Sequence, residues 1–182
     1  MEKKADICGM EHVKWLDNGV RRFVHNPRRM FGSYLKQGGV AFDIGCGPGV
    51  FTEGLARIVG EGGKVIAVDV QQAMLDLARQ KVAVAGLTDR VEFHKCTIDT
   101  LGLSIAADFI LTFYMIHESP RPMRLVNEIC MLLKPGGYWF LAEPKMHVST
   151  SAYQEVLEQC RKNDLTLVKK KGIFSRIAVF TR

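Results

Sequence analysis

The stretch Asp43-Ile44-Gly45-Cys46-Gly47-Pro48-Gly49 decides how this chain reads. It follows the apolar run Val40-Ala41-Phe42 and precedes Val50, Phe51, Leu55, Ile58 and Val59, which recur at helical spacing. A strand, a glycine-rich turn and a helix are written consecutively, an order that brings backbone against a nucleoside ligand. A dinucleotide fingerprint needs G-x-G-x-x-G, with the pyrophosphate on the helix N-terminus. Counted from Gly45, its third glycine would fall at position 50, which is Val50; the glycines stand instead at 45, 47 and 49. Asp43, at the strand end, would repel a pyrophosphate and suit an ammonium. The expected ligand carries an amine and no phosphate.

A second carboxylate follows. Lys64-Val65-Ile66-Ala67-Val68-Asp69 reads as a strand ending in an acid, placed to accept both hydroxyls of a ribose. The plainer reading of Asp69 is a cap for a helix over 71–84. The glycine spacing together with Asp43 and Asp69 resembles motif I of the class I methyltransferases that use S-adenosylmethionine. The resemblance extends over residues 38–182, through Met74-Leu75, Leu133-Lys134-Pro135-Gly136-Gly137 and a terminal strand pair. It is similar to the small-molecule branch, the group of the ubiquinone and menaquinone C-methyltransferases. It implies S-adenosylmethionine as cofactor, with S-adenosylhomocysteine as product. The cofactor site it implies comprises Asp43, Gly45, Cys46, Gly47, Gly49, Asp69, Val70, Met74, Thr97, Ile98 and Phe113. One departure stands out: the family often has an aspartate for the adenine amine where this chain has Thr97. Either the Thr97 hydroxyl substitutes, or Asp99 does, or backbone atoms alone read the base.

Strand and helix patterns alternate along the chain, which predicts a doubly wound, Rossmann-like α/β fold with helices on both faces. Strands are expected at 90–94, at 107–114 and at 138–142, a helix over 121–133 stopped by Lys134-Pro135-Gly136-Gly137, and a helix at about 150–162. Strands at 165–168 and 174–180 close the chain. The sheet is therefore seven-stranded and mostly parallel; from the resemblance, its last strand is antiparallel and lies between the fifth and sixth. Residues 1–37 are expected to form a helical lid, with Trp15 and Phe23 over the ligand, and 38–182 the cofactor-binding domain.

Composition agrees with one core-bearing chain of 182 residues. The N-terminus lacks a signal-peptide pattern and no apolar run is long enough to span a bilayer, so a cytoplasmic protein without membrane insertion is expected. The five cysteines are widely spaced with no C-x-x-C, which argues against a zinc ribbon or a disulfide framework. Of Cys8, His12, His117 and His147, only Cys8 and His12 stand at i, i+4, so no metal is expected. The net charge of +6 concentrates at the ends: residues 1–38 carry eight Lys/Arg against four acids, and 161–182 seven against one. Such ends attract nucleic acid or an anionic substrate; the simpler reading is solvated surface.

Methyl transfer from a sulfonium asks the protein to align an acceptor and exclude water, and to supply a base where the acceptor must lose a proton. Ligands of open α/β sheets bind beyond the carboxyl ends of the strands. There stand Tyr114-Met115-Ile116-His117-Glu118 and Glu143-Pro144-Lys145-Met146-His147. His117, taken to end strand four, is the candidate base, titrating near the ordinary 6.5, and Glu143 the candidate orienter. Plainer readings make Glu118 a helix cap and Glu143 a surface residue. The aromatic and methionine side chains suggest a small, partly apolar acceptor. An RNA methyltransferase is the alternative, although strand four lacks both the Asn/Asp-Pro-Pro-aromatic motif and a terminal aspartate. A non-catalytic S-adenosylmethionine-binding protein is the other.

Overall fold

A computed structural model describes residues 26–172 and 175–182. Cys8, His12, Trp15 and Phe23, and most of the expected lid, lie outside these residues. The chain folds as two compact units, which divide the described residues at 95/96.

The first unit begins with α1 (Pro27–Phe31), a short helix whose proline stands in the first turn and whose Asn26 side chain accepts from Arg29 N at 3.2 Å. It continues with β1 (Val40–Ile44), α2 (Thr52–Val59), β2 (Lys64–Asp69), α3 (Gln72–Val84), a 3₁₀ turn (Thr88–Arg90) and β3 (Val91–Lys95). β1 pairs with β2 and β2 with β3, both parallel. Val65, Ala67 and Val68 are fully buried, as strands covered on both faces require. Val50 and Phe51 belong to the turn, and the helix starts only at Thr52. Arg90, expected in the third strand, closes the 3₁₀ turn instead.

The second unit holds β4 (Ala107–Phe113), a 3₁₀ turn (Ile116–Glu118), α4 (Pro122–Leu132), β5 (Leu133–Pro144), α5 (Thr150–Lys162), β6 (Thr166–Lys171) and β7 (Ser175–Thr181). β4 and β5 are parallel, while β7 runs antiparallel to both β5 and β6 and lies between them. The fold is the expected seven-stranded mixed α/β sheet, with β3-β2-β1 from the first unit and β4-β5-β7-β6 from the second. In the second unit Trp139 is fully buried, and its indole N–H donates to the equally buried Thr112 hydroxyl at 2.9 Å. Among the described residues no helix is long and apolar enough to cross a membrane.

Lys134-Pro135-Gly136-Gly137 does end a helix, but not as a loop. Leu133 is already extended at φ −85° and ψ 126°, and the four residues form the first part of β5. Pro135 biases the residue before it away from helix. Gly136 N then bonds Arg182 O at 2.9 Å, and the Arg182 guanidinium donates to the carbonyls of Cys130 and Leu133 at 3.2 and 2.9 Å, capping α4.

Candidate functional site

In the first unit, β1 ends against a turn built on three glycines in the left-handed region: Gly45, Gly47 and Gly49 have φ of 70°, 51° and 76°. Gly45 N and Cys46 N both donate to Val68 O, at 2.8 and 3.0 Å, so the turn hangs from β2. Two of the positions differ in what surrounds them. A side-chain carbon at Gly49 would stand 2.9 Å from Cα and Cβ of Ala78 on α3. Nothing lies within 4 Å of where a Gly47 Cβ would be, so that face of the turn is open for a ligand. Gly49→Ala should therefore destabilise the protein by about 1–3 kcal/mol, through overpacking and a strained backbone. Urea unfolding measures this; an unchanged midpoint would show that α3 yields freely.

Two carboxylates lie under the turn. Asp43 is buried, and the Thr52 hydroxyl donates to its Oδ2 at 2.6 Å. Burial raises its pKa to about 7, against the Thr52 bond and with help from the charge of Asp69. Asp69, also buried, accepts from Gly47 N on Oδ2 and Gln71 N on Oδ1, both at 2.9 Å. Burial raises its pKa too, against the backbone bonds from Gln71, Gly47 and Val70. The helix-cap reading of Asp69 is half right: it holds the N–H of Gln71, but it also stitches the glycine turn to β2. A cation bound beside these two acids would favour their charged forms against the burial that raises their pKa values. Cys46 and Met74 are buried in this unit, and Val70 is half-buried.

The second unit carries the remaining candidates. Thr97 is exposed and turned on itself: its hydroxyl accepts from Thr100 N at 3.2 Å and donates to Thr100 O at 3.3 Å. Asp99 pairs with Arg121 at 3.0 Å, and Ile98 is exposed. Glu128, which sequence reasoning passed over, fixes this segment by accepting from the Thr100 hydroxyl and Leu101 N, both at 2.8 Å.

Phe113 is the last residue of β4, and its ring stacks obliquely on Tyr114 with centroids 4.3 Å apart. His117 does not end that strand; it sits in the following 3₁₀ turn. Glu143 lies inside β5, 1% exposed, and so is no surface residue. Its Oε1 accepts from Ile116 N at 3.0 Å, and its Oε2 meets His117 Nδ1 at 2.6 Å. An ionised carboxylate only accepts, so Nδ1 carries the proton and Nε2 remains to exchange one. Burial alone would lower the His117 pKa, but the hydrogen bond to Glu143 and the charges of Glu143 and Glu118 hold it above the ordinary value of 6.5. His147 is exposed, its ring 6.0 Å from that of His117. The loop bearing it is tied to β7 by Arg176, which donates to Val148 O at 2.8 Å and to the Thr150 hydroxyl at 2.9 Å. Among the described residues no group of three His, Cys, Asp or Glu is placed to hold a metal ion.

Residues 35–181 match a methyltransferase domain family. The chain is 29% identical over 145 residues to a ubiquinone biosynthesis O-methyltransferase of Haemophilus ducreyi, covering 73% of this chain and 59% of that protein. A demethylmenaquinone methyltransferase of Shouchella clausii is 32% identical over 103 residues, or 57% of this chain and 44% of that protein. The chain thus spans about three fifths or less of the length of these relatives. A solved S-adenosylmethionine-dependent methyltransferase from Aquifex aeolicus superposes with a TM-score of 0.82 at 25% identity, over 96% of this chain and all of that one. Family and neighbours imply S-adenosylmethionine as the cofactor.

Proposed function

Since the chain belongs to the methyltransferase domain family, we propose that it moves a methyl group from S-adenosylmethionine to a hydroxyl of a small, partly apolar aromatic acceptor. The observation that carries this reading is the His117–Glu143 pair, 2.6 Å apart beyond β4 and at the end of β5. The cofactor, when bound, supplies a methyl already activated by the positive charge on sulfur. Asp43 and Asp69 neutralise and seat its cationic and ribose groups, with the open face of Gly47 toward it. Val70, in the same unit, is its further contact in this reading. Glu143 holds the His117 Nδ1–H, and Nε2 takes the proton that the acceptor hydroxyl must lose. The imidazolium so formed is stabilised by Glu143 and releases its proton to solvent. A quinone precursor with a free phenol suits both this base and the names of the relatives. The setting we propose is the cytoplasm.

Titration calorimetry tests the cofactor half. S-adenosylhomocysteine and S-adenosylmethionine should bind and NAD should not. Affinity for the cationic ligand should rise with pH through about 7, because Asp43 is neutral below that value and a carboxylate above it. In the free protein the sign is opposite: Asp43 keeps a proton that the unfolded chain has lost, so stability falls as pH climbs from 3.8 to about 7. Tight NAD binding with no response to either sulfur nucleoside would overturn the assignment.

A further inference from the structure

β4 ends at Phe113, and the next residue must turn the chain. Tyr114 does so with φ +62°, and the only other described non-glycine residue in this region is Asp164, at 61°. A short acid tolerates that conformation by local hydrogen bonding, whereas a bulky aromatic residue is strained there by about 1–2 kcal/mol. Glycine would make the same turn freely. A strained residue beside a candidate catalytic pair directs attention to what its side chain does.

The Tyr114 N–H donates to Ala142 O at 2.8 Å. Its phenol reaches the Ser175 hydroxyl at the start of β7 and hydrogen-bonds with it. Ser175 lies opposite Pro144 in the β5–β7 ladder, one step from Glu143 opposite Arg176. The side chain thus links the end of β4 to β7 beside the end of β5. Two residues later Ile116 N, and three later His117 Nδ1, are delivered to the two oxygens of Glu143.

We propose that Tyr114 is a positioning residue: its phenol, tied to Ser175, holds the strained turn that brings His117 onto Glu143. Without the tie, the turn relaxes toward ordinary φ and carries Ile116 N and the imidazole off the carboxylate. The inference rests on the reading of His117 as a base for its catalytic meaning, but the geometry it predicts is measurable in the protein alone.

The groups facing His117 are Glu143 from β5, Glu118 from its own turn and His147 from the loop after β5. Of these, Glu143 makes the contact that the tie would control. The experiment is an NMR titration of ring-labelled histidine in the purified chain, with no cofactor or acceptor. The His117 signal is identified by its loss in His117→Gln. Tyr114→Phe and Ser175→Ala should each lower the His117 pKa toward its ordinary value, by about half a unit or more, with the protein folded. Tyr114→Gly, which makes the same turn without strain, should keep the His117 pKa closer to wild type than Tyr114→Phe does, with the protein folded. An unchanged pKa in Tyr114→Phe and Ser175→Ala overturns the proposal, as does failure of Tyr114→Gly to fold, which would make Tyr114 a structural residue only. A shifted pKa in a protein that methylates no phenol would uphold the positioning and defeat the function proposed above.

Discussion

Asp69→Ala is expected to lower affinity for S-adenosylhomocysteine by roughly a hundredfold or more and to weaken the fold at the same time. The carboxylate does two things. In the free protein it accepts from Gly47 N and Gln71 N at 2.9 Å each, which fastens the glycine turn to β2. In the proposed complex its remaining lone pairs accept the ribose hydroxyls. Hydrogen bonds to a charged group contribute about 1.5–3 kcal/mol each, and 1.4 kcal/mol is a factor of ten in binding. Losing the ribose bonds alone accounts for the affinity change. Orphaning two part-buried N–H groups should cost stability of order 2–4 kcal/mol. Urea unfolding and calorimetry on the same variant separate the two roles. Lost stability with an unchanged dissociation constant would leave Asp69 as a fastener of the turn and move the ribose elsewhere.

That double duty shows where sequence reading stopped. Periodicity placed β2 at 64–69 and the helix at 150–162 because each is a long uniform pattern with a clear stop. Residue type located Asp43 and Asp69 because a carboxylate at the end of an apolar strand is conspicuous. What could not be read were contacts between residues far apart in the chain. Thr52 on Asp43 spans 9 positions, Gly47 on Asp69 spans 22, and Tyr114 on Ser175 spans 61. Glu143 was legible only in part: it follows the apolar run 138–142 at the carboxyl end of a strand, but its burial beside His117 showed only in the fold. Tyr114 gave no signal, since φ +62° normally announces itself as glycine or asparagine. Lys134-Pro135-Gly136-Gly137 misled because proline and glycine mark the end of a helix without saying whether a loop or a strand follows. Here the backbone of Arg182 was waiting to pair with Gly136.

His117→Ala should reduce turnover on a phenolic acceptor by about 10²–10⁴-fold, the usual contribution of a positioned base, while leaving cofactor affinity nearly unchanged. The pH dependence carries the assignment. As a base His117 must be neutral at Nε2, and Glu143 holds its pKa above 6.5. Wild-type kcat should therefore fall as pH drops through a value above 6.5, not at it. Stability runs the other way. The charged pair stabilises the fold fully below the unfolded pKa of about 6.5 and loses that contribution as pH rises through the folded value. The most active form is thus not the most stable one. Glu143→Gln sharpens the test. The amide still accepts from Ile116 N but carries no charge, so the acid limb should move down. An amide N–H turned toward Nδ1 would also favour the tautomer with the proton on Nε2, so kcat should fall as well. Measured kcat–pH profiles of wild type, His117→Ala and Glu143→Gln decide between roles. An acid limb identical in wild type and His117→Ala would remove His117 as the base. It would not promote Glu143 in its place, because a carboxylate 1% exposed inside β5 reaches an acceptor only through the imidazole that covers it.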